Sequence, residues 1–212
     1  MASIVSVNVA SPEEVTFAGR TFTTAIRKRA LTGPARVCGV NVDGDDQADR
    51  SVHGGPSKAL YAYASEDYAY WRAEGRAFSF GTLGENLTTA GVDIGALRIG
   101  EHWRAGNALL EVSEPRIPCF KLGYAADDAR FPKVFGGALR FGSYFRIIEE
   151  GIVAAGDAFE RIWVPDDHDV TIAEVSRIRM VAPHERAKLA DVGALSLGWR
   201  GWAMELADRS GR

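Results

Sequence analysis

The sequence predicts a mostly β fold: a compact β barrel with a few helices, followed by a C-terminal extension of three short helices. Three observations point there. Short segments alternate apolar and polar residues with period two. Several of the 23 glycines fall where a barrel needs corners or bulges. From Pro165 onward the period-two pattern gives way to helical spacing.

Taken in order, Ile4, Val5, Val7 and Val9 alternate with small or polar residues, which suits a strand with one buried face. Residues 36–42, 97–103, 108–113, 143–148 and 152–155 repeat that pattern, with Glu149, Glu150 and Gly151 as a tight hairpin connection between the last two and Gly156-Asp157 marking the exit. One helix interrupts the strands. Ser65 caps it, Glu66 and Asp67 complement the first-turn dipole, Tyr68 and Trp71 share a core-facing side, and Gly75 stops it. No regular alternation of strands with long amphipathic helices occurs, which disfavours a doubly wound α/β sheet.

After the polar linker 165–169, Thr171 and Glu174 form a capping box, Pro183 suits a first helical position, and Trp199, Trp202, Ala203 and Leu206 follow i, i+3, i+4, i+7. The carboxylates and His168 of that linker read as solvated, since hard-metal loops space their oxygen ligands more regularly. Residues 1–164 are therefore expected to form the barrel domain and residues 165–212 the helical extension. Trp199 and Trp202 can pack on the barrel or form the seam of a homodimer, and packing within the chain is the expectation.

A length of 212 residues suits one large domain, and 46% hydrophobic with 25% charged residues is ordinary globular composition, unlike disordered, fibrous or membrane chains. Net charge −3 and pI about 5.8 lack the cationic footprint that a nucleic-acid polymer requires. A local basic pocket for one small anion stays compatible with that balance. The first residues lack a basic region followed by an apolar stretch, and no run approaches the ~18 apolar residues of a membrane span, so a cytoplasmic protein with no membrane partner is expected. The two cysteines, Cys38 and Cys119, do not suggest a disulfide framework.

Four segments could carry chemistry. In residues 114–122, Pro115 and Pro118 restrict the backbone before Cys119, while Arg116 and Lys121 bracket a thiol whose thiolate form they favour. The bland alternative is a buried small hydrophobe with two surface cations nearby. Cys38 has no such surroundings and reads as a core thiol. In the second segment, His53, Gly54 and Gly55, with Lys58 after them, could expose N–H groups to an anion or simply turn the chain. In the third, Glu85 and Asn86 between glycines could read donors on a heterocycle or bond their own backbone. The fourth places Arg27 and Lys28 after a strand-like stretch, as ligands for an anion or as edge-protecting charges.

Together these segments resemble the MOSC family, in its YiiM-like branch. The matching stretches are Thr24-Ala-Ile-x-Lys28, Gly44-Asp-x-Gln-Ala-Asp49, His53-Gly-Gly-Pro56 with Lys58-Ala-Leu60, Gly84-Glu-Asn-Leu-Thr88 and Pro115-Arg-x-Pro-Cys-x-Lys-Leu122, in order. The helical tail is similar to the three-helix extension of that branch. The resemblance implies a β barrel that binds the molybdenum cofactor, a molybdopterin, with Cys119 as catalytic residue and metal ligand. It implies cofactor contacts from Lys28, His53, Gly54, Gly55, Glu85, Asn86, Arg116 and Lys121. Pyridoxal phosphate binding accompanies the resemblance only as a family-level expectation.

By the same resemblance the activity is a molybdenum-dependent reduction of N-hydroxylated small molecules such as hydroxylamino purines. The chain carries no flavin, haem or iron–sulfur signature, so a separate electron-donating reductase is the expected partner. Sulfur transfer through a persulfide on Cys119, and a cofactor carrier without turnover, are the alternatives.

Overall fold

The computed structural model describes residues 1–48 and 54–205. The strands are β1 (Ser3–Val9), β2 (Glu13–Phe17), β3 (Arg20–Thr24), β4 (Arg29–Ala30), β5 (Ala35–Cys38), β6 (Asn41–Val42), β7 (Leu60–Ala64), β8 (Leu87–Ala90), β9 (His102–Ala105), β10 (Ala108–Pro115), β11 (Ser143–Glu149), β12 (Gly151–Val153) and β13 (Phe159–Trp163). The helices are α1 (Ser65–Ala73), α2 (Lys121–Ala125), α3 (Phe131–Ala138), α4 (Ile172–Met180) and α5 (Leu197–Met204), with 3-10 turns at Pro56–Lys58, Ile94–Ala96 and Pro183–Leu189. Eight strands make one sheet in the order β13-β9-β10-β11-β7-β8-β1-β4, beside a three-stranded sheet β12-β5-β6 and the β2–β3 hairpin.

The expected closed barrel is not what the hydrogen bonding describes. The curled sheet brings β1 to the start of β13, where they meet at a single Ser3–Ala158 bridge, with the Ile4 N–H donating to the Asp157 carbonyl (2.8 Å) and the Phe159 N–H to the Ala2 carbonyl (3.0 Å). A register shift between Ile4 and Ser6 bends β1, as a bulge does. Its first half thus faces residues 156–159 while Asn8 and Val9 pair with β4.

β7 explains how two cores share one strand. All five of its residues are buried. Leu60, Ala62 and Ala64 join the larger core with Leu110, Val112 and Phe145, while Tyr61 and Tyr63 point the other way into an aromatic core with Tyr68, Trp71, Phe131 and Phe135. The strict period of two puts successive side chains on opposite faces, so one strand serves both. β7, α1 and the parallel strand β8 form the one βαβ unit among the described residues. Tyr68 and Trp71 are core, as the helical spacing implied.

Several expected boundaries shift for local reasons. Residues 36–42 break at Gly39 (φ 59°) into the β5–β6 pair, and residues 97–101 form a bridge and a turn ahead of β9. The 149–151 turn does not fold β12 back onto β11, because β12 pairs with β5 instead. Helix α1 takes Ala64 rather than Ser65 as its N-cap, the Ser65 hydroxyl turning to Glu66. Gly75, at φ 78°, follows its end as a left-handed glycine typically does.

Of the three short helices expected in the tail, two are α-helices and the middle one, Pro183–Leu189, is a 3-10 helix. After Pro183 the bonds close over three residues, as from the Ala190 N–H to the Ala187 carbonyl (3.2 Å), which is the tighter helix of short segments. Thr171 Oγ1 accepts from the Glu174 N–H (3.2 Å), but the Glu174 carboxylate turns to Arg177 (3.5 Å), so only half of the capping box forms. Ile172, Val175, Ile178, Leu189 and Leu195 lie in the same buried cluster as the sheet, and Trp199 and Trp202 pack against it. Leu206 lies outside the described residues.

Candidate functional site

Six stretches of chain converge on one cleft. The loop after β3 brings Lys28, the loop after β6 brings Asp45, β7 brings Tyr61, and the Gly81–Gly84 loop brings Asn86. The segment after β10 then brings Arg116 and Cys119 against Tyr144 of β11. Two glycines allow this crossing. Gly81 adopts φ +85°, and a Cβ there would lie 2.6 Å from the Lys28 carbonyl oxygen; at Gly84 (φ +92°) one would lie 3.1 Å from Ile26 and 3.7 Å from Arg116 Nη2.

The floor of the cleft is a closed polar network. Lys28 Nζ donates to Asp45 Oδ1, with both side chains at most 7% exposed. Asp45 also accepts from the Ala10 N–H (2.8 Å) and from Asn86 Nδ2 (2.9 Å). Asn86 Oδ1 in turn accepts from the Tyr61 N–H (3.2 Å), so Asn86 ties β7 to the acidic loop. Burial pushes the Lys28 ammonium below its ordinary pKa, with the adjacent Asp45 opposing. Lys28 is thus answered within the protein, while its neighbour Arg27 turns outward to the Tyr124 carbonyl and Asp127.

Arg116 is different. Its side chain is buried, at 6% exposure, its guanidinium lies 5.1 Å from the Tyr61 ring centroid, and its Nη1 has no hydrogen-bond partner. Burial opposes its charge, but the facing Tyr61 and Tyr144 oxygens and the Cys119 sulfur outweigh that and raise its pKa. Burial likewise raises the Tyr61 and Tyr144 phenols, keeping them neutral. An unmatched buried guanidinium N–H is costly until something accepts from it. Lys121, also lining the cleft, makes no ion pair among the described residues.

The remaining sequence-predicted residues distribute unevenly. Cys119 is half-buried at the mouth, and Leu122 N–H bonds to its carbonyl (3.0 Å) to start α2. Glu85 does not line the cleft: it is fully buried behind it, accepting from the Tyr68 hydroxyl (2.6 Å) and Thr88 Oγ1 (2.9 Å). Burial holds its carboxyl above the usual range. Gly54 and Gly55 also lie off the lining; Gly55, at φ 89°, leads into the Pro56–Lys58 turn. His53 lies outside the described residues. Cys38 is not a core thiol but half-buried at the end of β5, with Sγ 3.5 Å from Asp43 Oδ1. Lost hydration, then Asp43, push that thiol's pKa up.

Sequence reasoning did not assign Asp45, Lys58, Tyr61, Glu114 or Tyr144 to the site. Asp45 stood within a quoted motif, and its role depends on burial that the acidic run 43–46 does not advertise. Among the described residues no three His, Cys, Asp or Glu side chains gather to hold a metal ion. No helix among them is long and apolar enough to cross a membrane.

A sheet-dominated protein presenting one thiol beside a buried, unmatched arginine is the class that fold and site define. The chain belongs to the MOSC domain family, whose model matches residues 49–160. It is similar to the protein YiiM of Escherichia coli (strain K12), 33% identical over 183 residues that cover 83% of this chain and 81% of that one. It is 34% identical over 155 residues to a reductase of Gibberella moniliformis, covering 69% of this chain and 27% of that longer protein. The crystal structure of YiiM from Geobacillus stearothermophilus superposes with a TM-score of 0.79 at 30% identity, covering 97% of this chain and 98% of that one.

Proposed function

We propose that this chain is an oxidoreductase that binds the molybdenum cofactor through Cys119 and reduces N-hydroxylated small molecules such as hydroxylamino purines. The MOSC domain family is associated with molybdenum cofactor binding, and the reductase-named relative supports an oxidoreductase. The single observation that carries the reading is the unpartnered, buried Nη1 of Arg116 in the same cleft as Cys119.

The residues present fit such a group. A thiolate suits a soft metal, Arg116 and Lys121 suit its anionic pterin phosphate, and Asn86 holds the floor. When bound, the cofactor would supply the two-electron chemistry. Reduction of an N–OH group breaks the N–O bond, consumes two electrons and two protons, and releases water and an amine. The electrons come from a separate reductase, since the chain carries no signature of a redox group of its own. We assign it to the cytoplasm on the same reading.

Molybdenum per chain, measured on protein made in cells that synthesise the cofactor, tests this together with hydroxylaminopurine reduction by an artificial donor. Loss of both in Cys119→Ser is the expected result. Metal retained in the wild type without turnover under any donor would favour a carrier, and persulfide on Cys119 without metal would favour sulfur transfer.

A further inference from the structure

Cys119 borders a second space. Beyond the narrow cleft lies a cavity of about 420 Å³ that shares Lys58, Cys119 and Tyr144 with it. Its near wall is the end of β10 and the loop of Ile117 and Pro118. Its far wall comes from the tail: Arg179 of α4, and Ser196, Trp199 and Trp202 at α5. Neither wall alone encloses it, because residues more than 60 positions apart in sequence face each other across it.

Two features of this chamber point to an occupant. The first is aromatic. The Trp199 and Trp202 rings stand nearly perpendicular, centroids 5.7 Å apart and planes at 85°, so the pair offers a corner of indole surface. Arg179 and Arg186 both lie over Trp202, at 4.7 and 5.5 Å from its centroid. Flat π systems seat against such surfaces with little regard to their edge chemistry. The second feature is a carboxylate. Glu114 is 3% exposed, and its Oε1 lies 3.6 Å from Lys58 Nζ. Its Oε2 is buried without a hydrogen-bond partner. An acceptor of that kind calls for a donor from whatever fills the chamber, since leaving it empty-handed costs free energy.

We propose that the tail chamber is the substrate seat, selecting a flat, nitrogen-rich heteroaromatic ring through Trp199 and Trp202, with Glu114 Oε2 accepting from a ring or exocyclic N–H. This deepens the reductase reading and rests on it for the reacting end, which would face Cys119. The tail is then part of the site, and ring recognition is its work. Small hydroxylamines without a ring would reach Cys119 but gain nothing from the indoles.

The test compares 6-hydroxylaminopurine with hydroxylamine itself in wild type, Trp199→Leu and Glu114→Gln. The ratio of kcat/KM for the purine to that for hydroxylamine should fall about tenfold in each variant, as loss of one base–aromatic contact in Trp199→Leu and of one charge-assisted hydrogen bond in Glu114→Gln implies, mainly through a higher KM for the purine. An unchanged ratio in both variants overturns the proposal. Direct binding separates its failure from that of the reductase reading. Quenching of tryptophan fluorescence by 6-hydroxylaminopurine that in Trp199→Leu needs about tenfold more ligand than in wild type supports the chamber even where no turnover is found. Absence of quenching in a folded wild type refutes it whatever the activity.

Discussion

Replacing Arg116 by methionine should change two properties in opposite directions. The guanidinium is buried and its Nη1 is unpartnered, and an unsatisfied buried donor costs about 1–3 kcal/mol. Methionine of similar length removes that cost, but it also removes the cation–π contact with Tyr61, worth about 0.5–2 kcal/mol. On the central values, about 2 and about 1.2 kcal/mol, the ligand-free variant comes out about 1 kcal/mol more stable, a rise in Tm of roughly 2–4 °C at this chain length. Anion binding moves the other way. A charge-assisted hydrogen bond contributes about 1.5–3 kcal/mol, so phosphate affinity should fall about 10- to 150-fold. Thermal unfolding of the ligand-free protein, with and without phosphate, reads both effects in one titration. A variant that is several degrees less stable without ligand, yet shifted by phosphate as far as the wild type, would show that Arg116 holds the fold and not an anion.

Three other outcomes follow from individual contacts. Gly81→Ala places a Cβ 2.6 Å from the Lys28 carbonyl oxygen at φ +85°; left-handed backbone plus a forced shift should destabilise by about 2–5 kcal/mol, and a Tm within two degrees of wild type would contradict the close approach. Hydrogen bonds from Arg177, then Lys188, lower Glu185 from its ordinary 4.5 to about 2. A depressed carboxyl stabilises the fold above its unfolded pKa and loses that contribution as pH falls through the folded one, so the tail should loosen between pH 4.5 and about 2. Acid titration of tryptophan fluorescence would show this, and an identical acid profile in Glu185→Gln would refute it. Cys38→Ser should leave molybdenum content within twofold of wild type, and metal lost from a folded variant would mean that the wrong thiol carries the proposed function.

The parts of this molecule that the sequence revealed are those whose signals are local. Two prolines bracketing Arg116 and Ile117 mark a constrained loop before Cys119 on any reading, and helix α1 announces itself through its acidic first turn and Gly75. β7 was invisible for the opposite reason. Its alternation is real, Leu60, Ala62 and Ala64 against Tyr61 and Tyr63, but both sets are apolar because both faces are buried, and a period-two polarity signal needs one wet face. Glu85 misled in a related way. In a glycine-bounded loop a glutamate reads as exposed or ligand-binding, whereas here Tyr68, from a helix about twenty residues upstream, supplies the hydroxyl that makes its burial tolerable. Such partners are fixed by tertiary packing, which no local pattern encodes.

The charge arrangement of the cleft follows from what would happen without its pairings. Lys28, Lys58, Arg116 and Lys121 all line it, and four unmatched cations at such short range would repel one another and destabilise the fold. Asp45 answers Lys28, and Glu114 lies beside Lys58. Arg116 is thereby left as the buried cation with a free donor. An acidic protein can in this way present a positive seat of defined direction. The seat's sign does not depend on net charge, and its aim is set by a guanidinium held between Tyr61 and Tyr144. Glu114 extends the same logic to the neighbouring chamber, where one carboxylate oxygen faces Lys58 and the other is left for a donor. The cleft and the chamber thus ask for opposite partners on either side of Cys119, an acceptor for Arg116 and a donor for Glu114, which is the polarity expected where an anionic cofactor and an N–H-bearing ring meet at one sulfur.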